Sequence, residues 1–189
     1  MRKQGIFTVF SLLLACFLFT TSVDTRAQYF GRNKPGYRNF NYKVYQTPVF
    51  EIYHYFKNDS VIRYWALQSE KWYRRHSRVF RDTFDKPNPL ILYSNHADFQ
   101  QTTAVSGMIG VGTGGVTESM KNRVVLPLAA STAQTDHVLG HELVHAFQFH
   151  LLTSDDSSSM SNVNSMPLWM IEGMAVKTGE AFSSLPPYI

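Results

Sequence analysis

Cysteine is nearly missing from this sequence: Cys16 is the only one among 189 residues. An intramolecular disulfide is therefore excluded, and the fold must rest on its apolar core and on any bound metal. Charge is sparse too. Charged residues make up 17% of the chain, and 18 Lys+Arg against 14 Asp+Glu leave a formal net charge of only +4. So mild an excess does not support counterion-release binding, and no nucleic-acid partner is expected. The apolar run from Ile6 to Phe19 is shorter than a bilayer-spanning helix, so no transmembrane span is expected in the mature chain. The glycines between Gly107 and Gly115 do not make a phosphate loop, because no Gly-Lys-Ser/Thr closes them and no long clean helix follows. They fit a tight turn, or backbone passing close to a ligand. What remains is a chain 44% hydrophobic and 14% aromatic, sufficient for one packed domain.

The N-terminal run has its own meaning. Arg2 and Lys3 precede it, polar residues follow from Thr20, and Thr25-Arg26-Ala27 sets small side chains three residues and one residue before Gln28. These are the parts of a secretory signal over residues 1–27, which implies export to the periplasm or the extracellular space. Arg2, Lys3, Asp24 and Arg26 would leave with it, and the remaining 15 basic and 13 acidic residues give a net of +2. Leu13-Leu14-Ala15-Cys16 approaches a lipoprotein attachment box. Leu14, however, stands where a small residue is usual, and Phe17-Leu18-Phe19 stays apolar. A cysteine discarded with the signal therefore fits better than a lipid anchor.

Beyond an irregular lead-in over 28–41, the alternation of Phe40, Tyr42 and Val44 with Asn41 and Lys43 predicts a half-buried strand. Phe50 to Phe56 predicts a second, joined through Gln46-Thr47-Pro48. Asp59 or Ser60 caps a helix to about Phe80, with Val61, Tyr64, Trp65, Gln68, Trp72 and His76 as its buried stripe. Lys71, Arg74, Arg75, Arg78 and Arg81 gather toward its C-terminus as a solvated face, the rival being an anion-binding surface. Leu90 to Tyr93 reads as a short buried strand, and Val116–Glu118 with Arg123–Leu126 as a hairpin ended by Pro127. A helix starts at Thr135 or Asp136 and runs to about Leu152. Ser-rich residues 155–165 link it to another over Leu168 to about Lys177, with Pro167 at its first turn. The expected fold is α+β, a small, mostly antiparallel sheet packed on the first of these two helices.

Chemistry concentrates at His141-Glu142-Leu143-Val144-His145. Histidines four apart stand one helical turn above each other, so both imidazoles reach one ion, and Glu142 can turn toward a water on that ion. Downstream, Glu172 interrupts the apolar run Pro167-Leu168-Trp169-Met170-Ile171. A lone buried carboxylate needs a partner, and a divalent cation or a basic residue would serve. Glu172 lies 27 residues beyond His145, room for one helix to end and another to return. Two histidines and a glutamate with an open position are a catalytic zinc set. The expected ligands are therefore His141, His145 and Glu172 for one catalytic Zn2+, with Glu142 as general base. Trp169 and Met170 are expected to pack the second helix onto the first, and Gly173 to let the backbones approach. His137 is a rim histidine or a third ligand, and His150 is ordinary. His96 and Asp98 either line the cleft or serve turn chemistry. His137, His96 and Tyr93 are the candidate oxyanion donors. The segment from Gly110 to Glu118 can offer an edge strand to an extended peptide.

With these residues in view, the sequence resembles the gluzincin (thermolysin-like, peptidase MA-like) zinc metallopeptidases, in which HExxH is completed by a glutamate on a later helix. His141 to His145 matches the first motif and Trp169-Met170-Ile171-Glu172-Gly173-Met174-Ala175 the second. Residues 28–34, 91–102 and 112–118 resemble more narrowly the N-terminal domain of exported bacterial proteins that carry a TolB-like β-propeller. The resemblance covers about residues 28–176 and implies a zincin-like, C-terminally short peptidase domain over 28–180 with an unstructured tail over 181–189. It implies zinc-dependent hydrolysis of peptide or protein substrates. Two departures are Val176-Lys177, where the family continues with an acidic residue and a tyrosine, and an end at Ile189 before any propeller. They keep open the alternative of a non-catalytic or degenerate zinc-binding envelope domain with a structural or protein-interaction role.

Overall fold

The computed structural model of the chain describes residues 38–104, 109–153 and 166–179. The expected signal peptide, the linker over 155–165 and the tail over 181–189 lie outside them. Five strands form one sheet: β1 (Lys43–Gln46), β2 (Phe50–His54), β3 (Asn88–Tyr93), β4 (Val116–Glu118) and β5 (Arg123–Pro127), in the order β1-β2-β3-β5-β4. The helices are α1 (Asp59–Phe80), a single turn α2 (His96–Phe99), α3 (Thr132–Thr153) and α4 (Leu168–Gly179). The class is α+β as expected, with the motif helix against the sheet and a glutamate-bearing helix after it.

Strand direction follows the connections. Short turns make β1–β2 and β4–β5 antiparallel hairpins. Thr47 closes the first, its amide donating to the Phe50 carbonyl at 2.9 Å. Asn122 takes the left-handed position in the second, with φ 45°. Between β2 and β3 lies all of α1, a crossover that brings the chain back parallel, and β3–β5 is parallel too. The antiparallel expectation thus holds for the two hairpins at the flanks and not for the central pairings.

One sheet face, from Phe50, Ile52, Leu90, Leu92, Val124 and Leu126, packs on α1 and α3 and makes the main core. On the other face a smaller cluster gathers Tyr93, Phe99 and Val125. Asn58, not Asp59 or Ser60, caps α1: its extended backbone lets Oδ1 accept from the Ser60 amide at 2.9 Å. The buried stripe is Ile62, Trp65, Ala66, Ser69, Trp72, Tyr73 and His76. It sits one residue on from the expected stripe at its start, so Tyr64 is exposed and Ile62 is not. The basic cluster is largely solvated. Arg74 pairs with Glu70 at 3.8 Å, Arg75 covers Trp72 at 5.5 Å, and Arg81 adopts the left-handed turn after the helix.

Helix α3 begins earlier than expected because Ser131 Oγ accepts from the Gln134 amide at 3.1 Å. Thr135 and Asp136 make tertiary contacts instead. Thr135 Oγ1 accepts from the Ala129 amide at 2.8 Å, and Asp136 accepts from the Trp72 indole at 3.1 Å. Every residue from Glu142 to Gln148 is buried, since the sheet, α1 and α4 all contact this helix. Leu143 and Phe147, both fully buried, each contribute about 1.5–3 kcal/mol of apolar burial. No helix among the described residues is long and apolar enough to cross a membrane.

Candidate metal centre

His141 and His145 project from adjacent turns of α3 with their Nε2 atoms 3.1 Å apart. Glu172 arrives from α4, its Oε2 3.5 Å from His141 Nε2 and 3.7 Å from His145 Nε2. These three residues form the one candidate metal-binding group among the described residues. Four donors around a tetrahedral ion at about 2.0–2.1 Å stand about 3.3 Å from one another. The observed edges of 3.1, 3.5 and 3.7 Å bracket that spacing, so the residues present fit a zinc ion without rearrangement.

Electrostatics favour the same use. Burial, reinforced by the neighbouring His145, pushes the His141 imidazole below its ordinary value, so it offers a neutral lone pair. Phe149 stacks on His145 from the next turn, with centroids 6.2 Å apart. Burial raises the Glu142 carboxyl, while a hydrogen bond from Thr117 and the nearby His145 work the other way. Thr117 Oγ1 lies 2.8 Å from Glu142 Oε2 and 2.9 Å from the Glu142 carbonyl oxygen, so the one proton of this β4 hydroxyl is given to one of the two acceptors or shared between them.

The cluster opens onto a cleft of about 810 Å³ bordered by Gly112–Thr117, by α3 at His137, Val138, His141, Glu142, His145 and Phe149, and by Met166, Leu168, Ile171 and Glu172. The expected edge strand is present: β4 ends the sheet on this side. Two of the glycines, Gly114 and Gly115, also receive their explanation, whereas nothing lies within 4 Å of the Cβ position of Gly112. A Cβ on Gly115 would stand 2.9 Å from Glu142 Cγ, and one on Gly114 3.0 Å from Val138 Cγ2. The segment therefore passes close to α3.

Several expectations require correction. Glu172 is not buried; its side chain is 48% exposed, and its ion-pair partners among the described residues are the two imidazoles rather than Lys or Arg. Trp169 and Met170 do not pack α4 onto α3, being 76% and 42% exposed. Nor does Gly173 mediate a close approach, for nothing lies within 4 Å of its Cβ position. That role falls to Gly179, whose Cβ would meet the His141 amide nitrogen at 3.3 Å, and to the fully buried Ala175. Of the oxyanion candidates only His137 borders the cleft. Tyr93 is buried in the smaller cluster, and His96 Nε2 pairs with the Thr113 carbonyl at 3.1 Å. Asp98 belongs to a turn network, accepting from Tyr55 at 2.7 Å and from Ser94 and Asn95 at 3.2 Å. His150 contacts Asp82 at 2.7 Å and Asp85 at 3.4 Å, away from the cluster.

Thr117 and Gln148 escaped the sequence reading. Gln148 had a usable signal, a polar side chain in an apolar helix three residues after a ligand candidate; Thr117, on an ordinary alternating strand, had none.

No family model, curated protein or solved structure matches this chain. The site must therefore be placed by its geometry, and a His-Glu-x-x-His helix with a distal glutamate is consistent with a zincin-like metalloprotease fold in general, of no specific family.

Proposed function

We propose that this chain is a zinc-dependent metallopeptidase of the gluzincin type, exported from the cytoplasm, and that it hydrolyses peptide bonds. The observation that carries the reading is the convergence of His141, His145 and Glu172 within 3.7 Å of one another at a cleft that Glu142 also lines. His141, His145 and Glu172 would hold one zinc ion. Bound there, zinc supplies Lewis-acid polarisation of a water and of the scissile carbonyl. An extended peptide adds to the free edge of β4 by main-chain hydrogen bonds, which lays its carbonyl across the cluster. Glu142, held by Thr117, takes a proton from the attacking water and returns it to the departing amine. Its burial-raised carboxyl suits a base that must also give its proton back.

The test is Glu142→Gln. It should keep about one zinc per chain and lose peptide hydrolysis by at least 100-fold, within the range general bases contribute. A wild-type chain with no zinc, or a variant that cleaves as well as wild type, would sink the proposal. The exposed Leu168 and Trp169, 71% and 76% accessible, favour as second reading a zinc-binding domain that engages another protein without catalysis. It predicts full zinc content and no turnover across a broad peptide library. Export is tested separately, by finding Gln28 at the mature N-terminus.

A further inference from the structure

Gln148 lies in the buried stretch of α3 with only 3% of its surface exposed. Its side-chain amide makes two hydrogen bonds in different directions. Nε2 donates to the main-chain oxygen of Ile171 on α4 at 3.1 Å, and Oε1 lies 2.9 Å from Nδ1 of His145. A carbonyl oxygen only accepts, so Ile171 fixes which end of the amide faces α4. The amide oxygen left facing His145 also only accepts, so Nδ1 must carry the proton. In a neutral imidazole that leaves Nε2 as a bare lone pair, and Nε2 is the atom 3.1 Å from His141 Nε2 and 3.7 Å from Glu172 Oε2.

The same side chain is needed at its other end. Helix α4 meets α3 through small residues: Ala175 and Gly179 are its buried positions, while Leu168, Trp169 and Val176 face solvent, so no large side chain of those three fixes its rotation. The bond to Ile171 grips the residue immediately before Glu172. Successive helical residues are turned by about 100°, so a small rotation of α4 about its axis would carry Glu172 off the cluster.

We propose that Gln148 is a positioning residue which couples the tautomer of His145 to the docking of α4, so that two ligands from different helices are set by one side chain. The proposal rests on the reading of His141, His145 and Glu172 as a zinc site. Partners of this kind behind a ligating histidine typically contribute 10–100-fold to metal affinity.

Two variants of the full chain separate the two bonds. Gln148→Leu removes both. Gln148→Glu keeps an acceptor for His145 Nδ1–H but turns a carboxylate oxygen toward the Ile171 carbonyl, abolishing the grip on α4. Three readouts apply: imidazole nitrogen NMR of the metal-free protein, zinc affinity by chelator competition, and amide exchange over residues 168–179. Wild type should show His145 protonated at Nδ1 alone. Gln148→Leu should mix the tautomers, weaken zinc 10–100-fold and speed α4 exchange at least tenfold. Gln148→Glu should keep the wild-type tautomer while α4 exchange still speeds. A wild-type His145 protonated at Nε2 would overturn the proposal. So would a Leu variant unchanged in tautomer and zinc affinity, or a Glu variant with wild-type exchange in α4. If Gln148→Leu does not fold, the wild-type tautomer and the Glu variant decide. A wild type that binds no zinc would end the peptidase reading, while the metal-free tautomer and exchange would still judge Gln148.

Discussion

Replacing Gly140 with alanine sets two physical effects of opposite sign against each other. Gly140 lies inside α3 next to His141, where helix propensity alone predicts a gain of about 1 kcal/mol from alanine. The added Cβ, however, would stand 2.6 Å from Trp72 Cζ2 and 2.7 Å from Cε2 and Cη2. Carbon atoms attract best at about 3.5–4.0 Å, so the gap would have to open by roughly 1 Å. The indole has little freedom to move. It is 1% exposed, donates to Asp136 Oδ1 at 3.1 Å and stacks on His76 with centroids 5.3 Å apart. His76 is itself tied to the Gly140 carbonyl at 2.9 Å. Forcing such a core costs about 1–3 kcal/mol, and breaking the indole hydrogen bond about 1 kcal/mol more.

The net expectation is a loss of about 1–3 kcal/mol, which lowers the melting temperature by roughly 3–10 °C in a domain of this size. Thermal melts and urea midpoints of wild type and Gly140→Ala would measure it. Trp72→Phe in the same background should recover part of the loss beyond additivity, because it removes the atoms that clash. A Gly140→Ala protein as stable as wild type, or more so, would refute the reasoning.

Gly173→Ala should do the reverse and stabilise by about 0.5–1 kcal/mol in urea melts, since nothing within 4 Å opposes the methyl group; destabilisation would mean that something covers this face. Thr117→Val removes the hydroxyl 2.8 Å from Glu142 Oε2, and a hydrogen bond to a charged group of about 1.5–3 kcal/mol translates to roughly a 10–100-fold loss of kcat/KM with zinc content unchanged. His76 predicts an acid sensitivity: burial, aided by Arg75 and opposed by the bond to Gly140, pushes its imidazole from 6.5 down to about 4. Between those values the unfolded chain binds a proton that the native one does not, so this stabilisation is complete above pH 6.5 and is lost as pH falls to about 4, by up to about 3 kcal/mol. His76→Phe should therefore lose less stability than wild type between pH 7 and pH 4.5 in urea melts, and equal losses would remove His76 as the cause.

What the sequence made legible was local. His141, Glu142 and His145 fall on one helix, so spacing alone joined them, and both hairpins carried their own turns. The parallel pairing of β2 with β3 was readable in principle, since a helix as long as α1 cannot close a hairpin. Helix α3 starts at Thr132 rather than Thr135, an early start that is hard to read because the sheet, α1 and α4 bury most of its centre, and a helix with little polar face gives a weak periodic signal for its ends. The buried stripe of α1 was displaced because Val61 and Ile62 are equally apolar and only the packing chooses between them.

For helix α4 the sequence points to the glutamate that lies beside the two histidines, but it misplaces the burial of Glu172 and the packing of the helix, and the packing error has a physical cause. A hydrophobicity pattern credits large apolar side chains, so Trp169 and Met170 drew the contact that Ala175 and Gly179 make. Small residues register weakly in such a pattern, yet they set the distance between backbones. Gly115 lets the chain leading into β4 pass Glu142, Gly140 seats the Trp72 ring of α1 against α3, and Gly179 lets α4 reach the backbone of His141. The candidate metal centre lies where these three approaches converge on a single helix. Its donors were visible in the sequence because they are chemically distinctive. Its geometry was not, because what fixes that geometry is the absence of a Cβ at three positions far apart in the chain.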